Sequence, residues 1–106
     1  MTELTNVDEL EKTLKLPMAV IYKHSSRCPL SRSARSEMGR FELDVPELPV
    51  FIVDVVRNPA LSSAIEQRTG VKHESPQAIL LRDGVVKWHA SHYDVTRASL
   101  RDNLAA

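Results

Sequence analysis

Continuous apolar runs alternate along this chain with segments whose apolar residues recur every three or four positions. Met18-Ala19-Val20-Ile21-Tyr22 and Val50-Phe51-Ile52-Val53-Asp54-Val55 are runs of the first kind, the pattern of strands covered on both faces. A third run, Gln77-Ala78-Ile79-Leu80-Leu81, is separated by Asp83-Gly84 from Val85-Val86-Lys87-Trp88-His89-Ala90, which predicts a hairpin. Helical spacing appears in Val7, Leu10 and Leu14, after a cap-like Thr5-Asn6-Val7-Asp8 and before Pro17, so the first helix is expected over about Val7 to Lys15. Pro29 suits the first position of a second helix running through Ser31, Ala34 and Met38 to about Phe41, with Gly39 blurring its end. Asn58-Pro59 starts a third helix with Leu61, Ala64, Ile65 and Arg68, closed by Gly70. Thr96 caps a last one carrying Ala98, Leu100 and Leu104.

The order is therefore α-β-α-β-α-β-β-α in one domain over residues 1–106, without repeats or linkers. Two strand–helix–strand steps demand parallel pairing through right-handed crossovers, and the hairpin adds an antiparallel edge. The expected fold class is α/β, a four-stranded mixed sheet flanked by helices.

Composition narrows the function. With 42% hydrophobic residues the chain has enough apolar surface for one core, and its 14 basic and 14 acidic side chains are interspersed. That balance argues against nucleic-acid and anionic-membrane partners. The acid-containing opening residues are not expected to act as a signal peptide, and no run is long enough to span a bilayer, so a cytoplasmic location is expected. A single cysteine forbids an internal disulfide and suits a reducing compartment.

That cysteine is the main candidate for chemistry. Cys28 precedes Pro29 at a helix start, where unpaired backbone N–H groups and the helix dipole favour an anion, and it follows a polar loop, Lys23-His24-Ser25-Ser26-Arg27. A lone cysteine often serves only as a small buried hydrophobe, but these polar surroundings fit a reactive thiolate better. Arg27, His24 and Lys23 are candidates to add positive potential. Three residues on, where a C-x-x-C enzyme carries its resolving cysteine, stands Ser31; it is a candidate donor to the thiolate, or a residue that caps the helix or faces water. Ser75-Pro76 precedes the third apolar run, and an ordinary strand-entry proline there would be trans.

Three segments resemble one family, the thioredoxin-like monothiol bacilliredoxins: Lys23-His24-Ser25-Ser26-Arg27-Cys28-Pro29-Leu30-Ser31, Gly70-Val71-Lys72-His73-Glu74-Ser75-Pro76-Gln77 and Trp88-His89-Ala90-Ser91-His92. The resemblance runs nearly the whole chain and implies a thioredoxin-like fold, Cys28 as nucleophile and Pro76 as the family's cis-proline. It also implies partners that are proteins S-thiolated by bacillithiol, a low-molecular-weight thiol acting as co-substrate, with no metal or organic cofactor. In such a sheet the loop before the hairpin lies beside the thiol helix, where a cis bond would turn the Ser75 backbone towards an extended substrate. The family pattern has a threonine-like residue before the cysteine and isoleucine after the proline. Arg27 and Leu30 depart from it and leave thiolate stabilisation and substrate preference open.

Other functions compete. Cys28 with His24 or His73 suggests a metal site, although His89 and His92, if both on one strand, would point to opposite faces. A monothiol glutaredoxin-like iron–sulfur carrier would carry Cys-Gly-Phe-Ser where this chain has Cys-Pro-Leu-Ser. A peptide-binding adaptor of the same fold would need no reactive thiol. His73 and Glu74 read as a solvated loop or as part of a substrate groove, and Trp88 and Tyr93 as packing residues.

Overall fold

A computed structural model describes residues 1–106 and arranges them as β1 (Thr2–Glu3), α1 (Val7–Leu14), β2 (Met18–His24), α2 (Pro29–Asp44), β3 (Val50–Asp54), α3 (Pro59–Thr69), β4 (Gln77–Arg82), β5 (Val85–Ser91) and α4 (Arg97–Ala105), with a 3-10 turn at His92–Asp94. The sheet order is β1-β3-β2-β4-β5. β1, β3 and β2 run parallel, and β4 and β5 continue the sheet antiparallel.

The sheet has five strands where four are expected from the sequence. The additional one, β1, pairs Thr2 with Phe51 and Glu3 with Ile52. Its two residues are exposed and show no strand periodicity, and it is held by the neighbouring Leu4, which is buried and whose N–H donates to Ile52 O at 2.9 Å.

Strand alternation sorts the core into two layers. Val20, Tyr22, Ala78 and Leu80 face α2 and α4, packing with Ala34, Met38, Phe41 and Leu100. Ile21, Val53, Ile79 and Leu81 face the other way, against Leu10 of α1 and Leu61 and Ile65 of α3. The buried positions of α2, namely Ser31, Ala34, Met38 and Phe41, recur at helical spacing. The helix runs through Gly39 to Asp44, past the expected Phe41, because the chain is not stopped until Val45-Pro46.

Capping follows the sequence closely. The Asn6 side chain accepts from Glu9 N–H, the Thr96 side chain accepts from Ser99 N–H, and Gly70 closes α3 in the left-handed region at φ 76°. In the hairpin Asp83 and Gly84 have φ 50° and 76°, the pair of positive values a two-residue turn with matching twist requires. No helix is long and apolar enough to cross a membrane.

Two expectations about local structure need correction. Lys23 and His24 belong to β2 and not to the following loop, because both continue its pairing, Lys23 with Val53 and Gln77 and His24 with Asp54. His92 does not share a strand with His89; it begins the 3-10 turn with φ 57°, its N–H donating to Pro76 O at 2.8 Å.

Candidate active site around Cys28

β2 ends at His24 and the chain turns through Ser25–Arg27 before α2 begins, so Cys28 becomes the N-cap residue with extended φ −104° and ψ 119°. Pro29 occupies the first helical position, where its missing N–H costs nothing. The turn is tied to the helix by backbone and side chain together. Cys28 N–H donates to Ser25 O at 3.2 Å, Ser31 N–H to Cys28 O at 3.0 Å, and Arg27 N–H to Ser25 Oγ at 3.3 Å. Cys28 as a residue is half-buried, and its sulfur is unpaired, being that of the chain's only cysteine.

Ser31 is fully buried beneath this turn. Its hydroxyl oxygen accepts from Ser25 N–H at 3.2 Å, and no hydrogen bond joins it to the Cys28 sulfur. It neither faces water nor meets the thiol directly; it fixes the loop that carries the thiol.

Below Ser31 lies Tyr22, a residue that the sequence assigns only to a strand. Period-two alternation points it at α2, where it is fully buried and its hydroxyl donates to Ser31 O at 2.9 Å. The same oxygen lies 3.0 Å from His24 Nδ1. A tyrosine has one O–H and a carbonyl oxygen only accepts, so Nδ1 must carry the proton that bridges to Tyr22. Burial, reinforced by the Arg35 charge and opposed by Asp54, holds the His24 imidazole below its ordinary pKa. His24 is thus a neutral imidazole at pH 7 with Nε2 as a bare acceptor. Burial also pushes the Tyr22 phenol well above its ordinary range.

His24, Arg27, Cys28 and Pro29 line one cleft of about 640 Å³, together with Ser25, Ser26, Arg32, Arg35 and Ser36. Arg32 and Arg35 were not singled out from the sequence. Their signal was nevertheless present, because positions four and seven residues beyond Cys28 lie on its side of a helix.

The remaining candidates are placed elsewhere. Gln77 pairs with Lys23 across the antiparallel ladder, so Ser75-Pro76 continues past the end of the sheet at which His24 leads into the Cys28 turn. The Ser75–Pro76 peptide bond is cis, Pro76 is buried and Ser75 half-buried. Neither lines the cleft. On the other flank of α2 a smaller cavity of about 150 Å³ is bordered by Leu30, His92 and Tyr93. Tyr93 is 80% exposed and so does not pack in the core, whereas Trp88 packs against the layer that contains α2.

Lys23 does not add to the potential at the thiol, because alternation sends it to the opposite face of the sheet. There it is fully buried, with Nζ 3.1 Å from His73 Nδ1 and 3.4 Å from Ser62 O. Ser62 Oγ also lies 2.9 Å from His73 Nδ1. Burial lowers the Lys23 pKa to about 8, against a raising effect of Glu66, and burial with the Lys23 charge lowers that of His73. His73 is therefore committed to Ser62 and Lys23, apart from His24 and Cys28. No three His, Cys, Asp or Glu side chains converge in a metal-holding group.

Residues 1–100 match the family model described as monothiol bacilliredoxin BrxC. Among solved structures, a thioredoxin-fold protein described provisionally as an oxidoreductase is 29% identical, with a TM-score of 0.91 over 97% of this chain and 92% of that one. Thioredoxin from Trypanosoma brucei brucei is 16% identical with a TM-score of 0.83, over 100% of this chain and 92% of its own. Mitochondrial thioredoxin 3 from Saccharomyces cerevisiae is 18% identical with a TM-score of 0.80, over 99% and 93%. The last two likenesses concern the thioredoxin fold alone.

Proposed function

The chain belongs to the monothiol bacilliredoxin family, and from that premise we propose that Cys28 removes bacillithiol, or a similar small thiol, from S-thiolated proteins. The observation that carries the reading is the position of the chain's one cysteine: half-buried at the N-cap of α2, on the rim of an open cleft, with a buried serine three residues on instead of a second thiol.

In the first step the Cys28 thiolate attacks the small-thiol sulfur of the mixed disulfide. A Cys28–small-thiol disulfide forms, the original S–S bond breaks, and its electron pair leaves with the protein sulfur, which is released reduced. In the second step an external thiolate attacks the small-thiol sulfur now held on Cys28, regenerating the Cys28 thiolate and carrying the small thiol away as a new disulfide. Electrons come from that external thiol, and the cycle calls on no metal or organic cofactor. The Ser75 backbone beside Pro76 supports an extended stretch of the protein partner by strand-like pairing.

The test is transfer followed by mass spectrometry. A protein carrying bacillithiol on one cysteine, mixed with a stoichiometric amount of this chain, should lose the adduct while Cys28 gains it. Cys28→Ala should leave the adduct in place. Removal by Cys28→Ala at the wild-type rate would overturn the assignment, as would a wild-type chain that acquires no adduct.

A further inference from the structure

The backbone of Ser75 makes no hydrogen bond within the chain, although the residue is half-buried. Its N–H and C=O are free for a partner, and their direction is set by the anchors on either side. After it the chain is held by the sheet: Pro76 O accepts from His92 N–H at 2.8 Å, and Gln77 enters the ladder beside Lys23. Before it, Glu74 has an ion pair with His92 at 3.6 Å, both side chains half-exposed. The nearest buried anchor on this side is reached through His73.

His73 is tied to α3 and to β2 at once. Its N–H donates to a Glu66 carboxylate oxygen, and its Nδ1 lies 2.9 Å from Ser62 Oγ and 3.1 Å from Lys23 Nζ. An ammonium only donates, so Nδ1 accepts from Lys23 and the ring proton stands on Nε2. Lys23 itself sits in the central strand, paired with Val53 on one side and Gln77 on the other. From it β2 continues through His24 into the turn that ends at Cys28. One buried amine thus stands between the strand that delivers the sulfur and the loop that delivers the Ser75 backbone.

Stability does not call for a lysine at this position. Its side chain is fully buried and takes part in none of the chain's ion pairs. Removing an ammonium from water is costly, and an apolar residue of similar volume fills such a site at less cost. What the ammonium adds is direction, in its contacts to Ser62 O and His73 Nδ1. Apolar packing is non-directional and would hold the loop over the sheet less exactingly.

We propose that Lys23, acting through His73, is a positioning residue for protein partners: the Lys23–His73–Ser62 cluster sets the direction and depth of the Ser75 backbone relative to Cys28. The proposal rests on the reading of Cys28 as nucleophile and of Ser75 as the pairing residue, and adds what holds the second in register with the first. Neither Lys23 nor His73 touches the reacting atoms, which lie at the start of α2. The cluster therefore acts on how tightly a partner is held and not on the exchange itself.

The experiment follows transfer of bacillithiol to Cys28 by rapid quench and mass spectrometry, in single turnover, from two donors. One is an extended peptide with bacillithiol on its central cysteine. The other is the disulfide of bacillithiol with N-acetylcysteine, which is too short to pair as a strand. Wild type is compared with Lys23→Met, His73→Leu, His73→Asn and Lys23→Met/His73→Leu. His73 is exposed, so its variants keep the fold whatever the change at buried Lys23 does.

With the peptide, the half-saturating concentration should rise about tenfold in His73→Leu and about fivefold in Lys23→Met, where Ser62 still holds the ring, while the limiting rate stays within about twofold. With the small disulfide both variants should match wild type. His73→Asn should restore most of the peptide affinity, because its carboxamide oxygen can accept from Lys23 in place of Nδ1. The double variant should be no worse than His73→Leu, since Lys23 acts through His73.

Unchanged half-saturation in both single variants, equal slowing with both donors, or a wild type with no preference for the peptide would overturn the positioning role while leaving Cys28 as nucleophile. Effects that multiply in the double variant would overturn the route through His73. A wild type that takes bacillithiol from neither donor would overturn the reading of Cys28 on which the proposal rests.

Discussion

The Tyr22 hydroxyl donates to the carbonyl oxygen of Ser31 at 2.9 Å, linking the middle of the sheet to the first turn of the helix that carries Cys28. Both residues are fully buried, so the bond is shielded from water. Tyr22→Phe removes it, and also removes the acceptor of the His24 Nδ1 proton. Loss of a buried hydrogen bond with one stranded donor should cost about 1–2 kcal/mol, read as a lower urea midpoint at unchanged slope. A variant as stable as wild type would show that the bond is redundant.

His24 should titrate below an ordinary histidine and carry its proton on Nδ1. Two-dimensional ¹H–¹⁵N spectra of the imidazole at pH 7 should show the Nδ1–H tautomer, with the signals remaining those of a neutral ring below the usual midpoint of about 6.5. Because the folded-state pKa is depressed, the unfolded chain binds more protons in the window just below 6.5, and His24 contributes stability that falls as pH drops through it. An Nε2–H tautomer would contradict the Tyr22 geometry.

Lys23 is an ammonium placed under α3 at the cost of its hydration. Lys23→Met fills similar volume without a charge, and should stabilise the fold at pH 7 by about 1–3 kcal/mol. The folded pKa of about 8 lies below the ordinary 10.5, so between those values the unfolded wild type holds more protons and its folded state gains stability as pH rises. The advantage of Lys23→Met should therefore shrink between pH 8 and about 10. Denaturant titrations at both pH values give the difference, and a constant or growing advantage would be the contrary result.

Gly84 combines φ 76° with a close approach to α1, where an added Cβ would lie 2.6 Å from Leu14 O. The obstacle is backbone and not a flexible side chain. Gly84→Ala should lower stability by about 2 kcal/mol or more, through left-handed strain and displacement of the hairpin from α1. Gly39→Ala serves as the comparison, since nothing lies within 4 Å of its added Cβ and the position is helical; it should be neutral or slightly stabilising.

Most of the fold was legible because its signals are local. Continuous apolar runs, Asn58-Pro59, Gly70, Asp83-Gly84 and Thr96 each act within a few residues of themselves, and the elements they predict are present. β1 was not legible, because two exposed residues become a strand only by meeting Phe51 and Ile52, nearly fifty positions away. Cys28 before Pro29 could likewise be read in isolation as an N-cap.

The setting of Cys28 was decided by how the layers come together. Alternation along β2 is local, but which face receives α2 and which receives α3 is not. That choice directs Tyr22 to Ser31 and carries Lys23, one residue later, to Ser62 and His73 on the far side. It also separates His73 from the thiol and leaves Arg27, Arg32 and Arg35 without carboxylate partners. Sequence by itself determined the elements, their caps and the single thiol at a helix start, since each depends on short-range backbone sterics and hydrogen bonding. Only the tertiary structure decided which polar side chains share the sulfur's cleft, because partners far apart in sequence settle where every buried or unpaired charge can stand.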